Sequence, residues 1–183
     1  MVMIETEKTG ATMAWAERAG PLVLGATLIA LVMTGALFGF FYAWVCSTMW
    51  GLDAADPRIA IAAMQAMNAS VRNIVFAPAF FGTPVALILT AALAHGAQKP
   101  RAARLFLAGG LLYLFGGMIL TMAVNVPMNE ALGALTVPDN REDAATIWAA
   151  YSPRWQVFNT IRTVVSGATL LLAGWAFLAL NRP

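Results

Sequence analysis

Charge is what this chain has least of. Asp, Glu, Lys and Arg make up 11% of its 183 residues, where a soluble domain carries about 25%. That shortage, with 60% apolar residues and a mean hydropathy of +0.72, excludes an ordinary soluble domain. Cys46 is the single cysteine, so neither a disulfide framework nor a thiolate metal cluster is available. His95 is the single histidine. It stands in a short loop beside Gln98, Lys99 and Arg101, where an interfacial role is expected rather than metal ligation. The net charge of +2 comes without any run of Lys or Arg, which excludes a nucleic-acid partner. No small-residue cleavage site follows a short apolar core near the start. Residues 1–20 are accordingly read as a short soluble tail that stays attached.

What the chain has in abundance is hydrocarbon in long runs. A helix needs about 20 apolar residues to cross a bilayer, and four runs meet or approach this: 21–46, 74–94, 105–124 and 160–180. The expectation is an all-α transmembrane four-helix bundle forming one membrane domain over residues 21–183, with the lipid bilayer as its partner. Amphipathic helices are expected in the first and third loops. In the first, Asp56 is placed to cap a helix that Pro57 opens. Arg58, Gln65, Asn68 and Arg72 then recur on one face. Within the first span Gly35 and Gly39 form a GxxxG pair, read as internal packing or as the seam of a helix-mediated oligomer. Pro127 is expected to end or kink the third span. Ser152-Pro153 is expected to start or bend the fourth.

Orientation follows from the basic residues. Lys99, Arg101 and Arg104 crowd the second loop, and Lys8, Arg18 and Arg182 lie near the ends. The positive-inside rule then puts both termini in the cytoplasm and loops 47–73 and 125–160 on the exoplasmic or periplasmic side.

Polar chemistry is concentrated between Asn125 and Arg162. Asn125 and Asn129 are four apart, Glu130 follows, and Trp148, Tyr151, Trp155, Asn159 and Arg162 recur at helical spacing. Gln65, Asn68 and Arg72 supply a candidate second wall. Two readings stay open on the residues alone. One is a structural cluster in which aromatics sit at the interface and Glu130 and Asn129 satisfy Arg162 or Arg72, because ionisable groups beside a bilayer are costly unpaired. The other is a metal-free pocket for a small, flat, apolar aromatic molecule carrying hydroxyl or carbonyl groups.

Three segments carry a resemblance: Ala63-Met64-Gln65-Ala66-Met67-Asn68, Asn125-Val126-Pro127-Met128-Asn129, and Trp155-x3-Asn159-x2-Arg162-Thr163. Together they resemble the anthrone-oxygenase-like family of small four-span membrane proteins. The resemblance implies a cofactor-independent monooxygenase that takes an anthrone-like or other polycyclic phenolic substrate to the quinone with dioxygen, using neither metal nor flavin. On that implication Glu130 is the candidate base, and Arg162 with Asn125, Asn129 or Asn159 stabilises the enolate-type oxyanion. Trp148, Tyr151 and Trp155 stack the substrate, with Gln65, Asn68 and Arg72 nearby. Glu130 departs from the family pattern, where an amide often follows the asparagine. The alternative is a non-enzymatic accessory subunit, or a binder of a lipid or quinone-like molecule.

Overall fold

The computed structural model describes residues 2–180, with side chains from residue 20 onward. Among these residues every regular element is helical. In chain order they are α1 (Val2–Ala43), a π-helical turn (Trp44–Thr48), α2 (Met49–Ala54), α3 (Pro57–Ser70), α4 (Phe76–Gly96) and α5 (Pro100–Tyr113). Two π-helical runs follow (Leu114–Ile119, Thr121–Asn125), then α6 (Val126–Gly133) and α7 (Arg141–Leu180). Four stretches are long and apolar enough to cross a membrane: Gly20–Ala54, Phe76–Gly96, Pro100–Gly133 and Arg141–Leu180. The chain is an all-α integral membrane bundle. Its helices exceed the expected spans, and the backbone of the expected tail belongs to α1 from Val2. Lys8, Arg18 and Arg182 lie outside the residues whose side chains are described.

The bundle is built on α1, α4, α5 and α7, and its core is made of small residues: Ala30, Ala91, Ala94, Ala102, Ala173 and Ala176, filled in by Leu87 and Phe106. Leu28, Val32, Val85, Leu89, Leu111, Phe115, Val164 and Leu171 point outward and are exposed. This inversion suits lipid. Where the surroundings are as apolar as leucine, helices gain by approaching closely through small side chains rather than by hiding large ones. The buried Ser and Thr hydroxyls of the bundle are satisfied locally. Thr27, Thr34, Thr83, Thr90, Thr121, Thr163 and Ser166 each donate to the carbonyl four residues back. A Cβ at Gly35 or Gly39 would meet nothing within 4 Å, so the internal-packing reading of that pair is corrected: it lies on an open face.

Of the two proline expectations, an ending at Pro127 and a start at Ser152 are corrected. Pro127 does not end the third span; the helical path continues through it to Gly133. The two π-helical runs just before it relax the hydrogen-bond ladder that proline interrupts. Ser152 does not start a helix, because α7 runs unbroken for 40 residues through Pro153. The carbonyl that Pro153 deprives of a donor belongs to Ala149, an exposed residue, so it is not left orphaned inside the fold. At 1.5 Å per residue α7 is roughly 60 Å long, about twice the hydrocarbon thickness.

The surplus of α7 is wrapped by a cap. Met49, Ile61, Met64, Leu132, Ala144, Trp148, Tyr151 and Trp155 form its apolar core. Asp56 starts α3 as expected, accepting from the Arg58 amide at 3.0 Å, and pairs with the Arg58 guanidinium at 2.8 Å. Those bonds hold the Asp56 carboxyl at about 2, below the ordinary 3.8. A depressed carboxyl stabilises the fold above its unfolded value and loses that contribution as pH falls towards its folded one. The difference in thermal midpoint between the natural chain and Asp56→Asn is therefore expected to be constant above about pH 4 and to vanish towards pH 2. A difference that grew on acidification would contradict the capping role.

Candidate functional site

The motif residues meet where the cap joins the bundle, in two linked groups. Asn129, on α6, is the hub of the first. Its Oδ1 accepts from the Tyr151 hydroxyl at 2.8 Å and the Trp155 indole N–H at 2.9 Å. Its Nδ2 donates to Asn68 Oδ1 at 3.0 Å. Tyr151 and Trp155 can converge on one amide because they are four residues apart on α7 and share a face.

The second group lies one to two turns further along α7. Arg162 is 5% exposed. Its Nη2 donates to Asn159 Oδ1 at 2.9 Å, and Asn159 Nδ2 donates to the Phe41 carbonyl at 3.1 Å. The guanidinium is held between two rings, its Cζ 4.7 Å from the centroid of Phe41 and 5.2 Å from that of Trp155. Trp44 packs on the same Trp155 at 5.0 Å. Among the described residues no carboxylate pairs with Arg162; the ion pairs are Arg58–Asp56, Arg72–Glu130 and Arg141–Asp56. A buried cation without a counter-charge is one of the most costly things a membrane bundle can hold.

Unpartnered polar atoms fall on two residues of these groups, Arg162 and Asn68, and on two residues of the third span, Tyr113 and Asn125. Arg162 Nε, both side-chain atoms of Asn125, the Tyr113 hydroxyl and Asn68 Nδ2 are all buried without a hydrogen bond. Buried polar groups are nearly always paired, so these five atoms on four residues are left with hydrogen-bonding capacity to spare.

Other expected site residues are occupied elsewhere. Gln65 Nε2 donates to the carbonyls of Leu132 and Leu135, both at 2.9 Å, and closes the end of α6. The Trp148 indole N–H donates to Asp53 Oδ1 at 2.9 Å, tying α7 to α2. Glu130 is open to solvent and pairs with Arg72 at 3.2 Å, each side chain 59% exposed. Glu130 thus meets Arg72, one of the two cations expected for it, on the outer side of α6 rather than Arg162.

Three residues escaped the sequence reading. Asp53 binds Trp148, Ser152 and Gln156, three donors whose four-residue spacing was the available signal. Tyr113 stood out only as a polar tip in an apolar span. Phe41 contributes a carbonyl and a ring face, neither of which has a sequence signature. A pocket of about 500 Å³ opens at the other end of the bundle, lined by Arg101, Arg104, Leu105, Trp175, Leu178 and Ala179. Trp175 is roughly 20 Å along α7 from Arg162, so this volume is separate from the polar cluster.

A family model described as anthrone oxygenase matches residues 67–172, a stretch that includes Asn68, Tyr113, Asn125, Asn129, Trp155, Asn159 and Arg162. No curated protein and no solved structure matches the chain.

Proposed function

The chain belongs to the anthrone oxygenase family, and from that premise we propose that it is a membrane oxygenase of anthrone-like or related polycyclic phenolic substrates. The observation that carries this reading is the buried Arg162, lacking a carboxylate and flanked by the faces of Phe41 and Trp155. A flat aromatic ketone whose oxygen becomes an enolate supplies both the missing charge and the matching shape.

The reaction balances without a further reductant. An anthrone has a CH2 group between two aromatic rings and opposite a carbonyl. Loss of one proton from that carbon gives the enolate, whose oxygen Arg162 stabilises. The electron-rich carbon reduces dioxygen and a C–O bond forms, giving a peroxide. The O–O bond then breaks as the second proton leaves the same carbon. One oxygen atom stays as the new carbonyl and the other departs as water. Arg162 and the amides hold the oxyanion, and Trp155, Tyr151 and Trp148 provide aromatic surface. Glu130 is exposed and paired with Arg72, so the first proton is passed to water rather than to a positioned carboxylate. The distribution of Lys and Arg supports the orientation in which both termini are cytoplasmic and loops 47–73 and 125–160 face outward.

A second reading has its own support. The hydrogen bonds of Asn129 are mutually satisfied by Asn68, Tyr151 and Trp155, as in a structural joint, which suits a non-enzymatic accessory subunit or a binder of a lipid or quinone-like molecule. Oxygen uptake by the purified protein with an anthrone separates the two. The oxygenase reading expects uptake faster than protein-free autoxidation, with one labelled oxygen atom from dioxygen retained in each quinone. Uptake no faster than the blank leaves the binder. Within the same assay Glu130→Gln is expected to lower turnover by less than about tenfold, below the range of a positioned general base; a loss beyond about a hundredfold would restore Glu130 to that role.

A further inference from the structure

We propose that the seat around Arg162 takes its ligand in the anionic form, as the ionised oxygen of an acidic ring phenol or enol, and that Tyr113 and Asn125 complete the donor set around that oxygen. The inference rests on the reading that this cluster is the ligand site, and it adds what the site selects and which further residues select it.

The first argument is the kind of atoms left over. Arg162 Nε, Asn125 Nδ2 and Asn68 Nδ2 can only donate, the Tyr113 hydroxyl can donate, and Asn125 Oδ1 alone can only accept. A set so weighted towards donors fits a ligand rich in acceptor lone pairs. A neutral phenol would bring a donor of its own and leave most of the set unpaired. Its anion brings none.

The second is charge. The titratable groups in electrostatic reach of Arg162 are Tyr113 and Tyr151. From α1, Phe41 faces the guanidinium with a ring and carries no charge, and from α4, Phe80 packs on Tyr113 at 6.4 Å between ring centroids. Three acids of the cap are engaged elsewhere: Asp53 with Trp148, Ser152 and Gln156, Asp56 with Arg58 and Arg141, and Glu130 with Arg72. The protein thus presents a cation in an apolar setting and withholds the counter-ion.

The third is how Tyr113 and Asn125 are aimed. Tyr113, Gly117, Thr121 and Asn125 are all buried, although they recur every four residues. In a pure α-helix that interval overshoots by about 40° a step, which would carry the fourth residue well off the first one's face. The wider turns of the π-helical runs slow the rotation and keep the four aligned. Gly117 then lets the Tyr113 ring lie along its own helix. A Cβ at Gly117 would stand 2.7 Å from the ring edge, so the ring lies flat against Gly117, on the buried side that also carries Asn125. π-Helical segments of this kind concentrate at functional sites.

The test uses 2-hydroxyanthraquinone, a flat, acidic phenol with no oxidisable CH2, whose ionised form absorbs at longer wavelength. Its ionisation is titrated in detergent micelles, in micelles with the natural chain, and with three variants whose helicity and elution are checked beforehand. On the natural chain the bound probe is expected to ionise at least one pH unit lower than in empty micelles, a tenfold preference for the anion. Arg162→Met is expected to abolish the shift, Arg162→Lys to keep part of it, and Tyr113→Phe to diminish it while still binding. A bound probe that ionises as in empty micelles, one that does not bind, or an undiminished shift in Arg162→Met overturns the proposal. An unchanged shift in Tyr113→Phe removes Tyr113 from it. The oxygenase reading fails separately: a shift without anthrone-dependent oxygen uptake keeps the anion seat and sinks the enzyme, and uptake without a shift does the reverse.

Discussion

Replacing Arg162 by methionine is expected to leave a protein at least as stable as the natural chain, and to lower any turnover by at least 10²–10³-fold. Removing one preorganised donor from a developing oxyanion costs about 10²–10³ in rate, and Arg162 brings a full charge besides. The stability side is less intuitive and more telling. Losing the guanidinium forfeits its bond to Asn159 and its contacts with Phe41 and Trp155. Those are worth about 1.5–3 kcal/mol for the charged hydrogen bond and about 1–2 kcal/mol for each desolvated ring contact. Against this stands the desolvation of an uncompensated cation, several kcal/mol even after relaxation. The two sides are of similar size, and methionine adds apolar packing in place of the charge. The thermal midpoint in detergent is therefore expected to stay level or rise. An anionic ligand at 100 times its Kd should stabilise the natural chain by about 2.7 kcal/mol and do nothing for the variant. A drop in midpoint of many degrees would make Arg162 a structural residue and weaken the site reading.

That trade is the physical content of the distinction left open by the sequence, between a structural ion-pair cluster and a ligand pocket. The polar island of Asn125–Arg162 was legible because everything around it is apolar. Helical spacing correctly put Tyr151, Trp155, Asn159 and Arg162 on one side of α7, and Asp56-Pro57 announced the start of α3. What could not be read was pairing across the fold. Which cation meets Glu130 depends on α3 lying against α6, and the answer, Arg72, left Arg162 alone. The prolines misled for a related reason. Their cost depends on the surroundings of the freed carbonyl, exposed at Ala149 for Pro153 and preceded by π-helical turns for Pro127, which no local pattern records. Tyr113 was hidden because its relation to Asn125 exists only through π-helical turns; on α-helical spacing the two fall on different faces.

Asn129→Ala is expected to do the opposite of Arg162→Met and to unsettle the whole cap. One amide satisfies the Tyr151 hydroxyl, the Trp155 indole N–H and Asn68 Oδ1 at once. Alanine keeps none of these bonds and leaves three polar groups in a largely buried joint. At about 1–3 kcal/mol for each orphaned group the sum is about 3–9 kcal/mol, a large part of the 5–15 kcal/mol that holds a typical domain. Because Tyr151 and Trp155 also belong to the cap core with Met64 and Leu132, the loss should appear as reduced protection of α3 and α6 from hydrogen exchange before the bundle itself opens. Coupling provides the sharper check. Tyr151→Phe alone leaves Asn129 Oδ1 with its bond to Trp155 and should cost about 1 kcal/mol. Added to Asn129→Ala it should cost nothing or restore part of the loss, since the hydroxyl it removes has become an orphan. Strictly additive losses would mean that Asn129 acts through something other than these bonds, and a single-variant loss below about 1 kcal/mol would show that water replaces the amide. In either of those cases the joint between cap and bundle is looser than its hydrogen bonds suggest. If instead the coupling is found, Asn129 fixes the Trp155 indole, and through that ring it sets one of the two faces between which Arg162 waits for its anion.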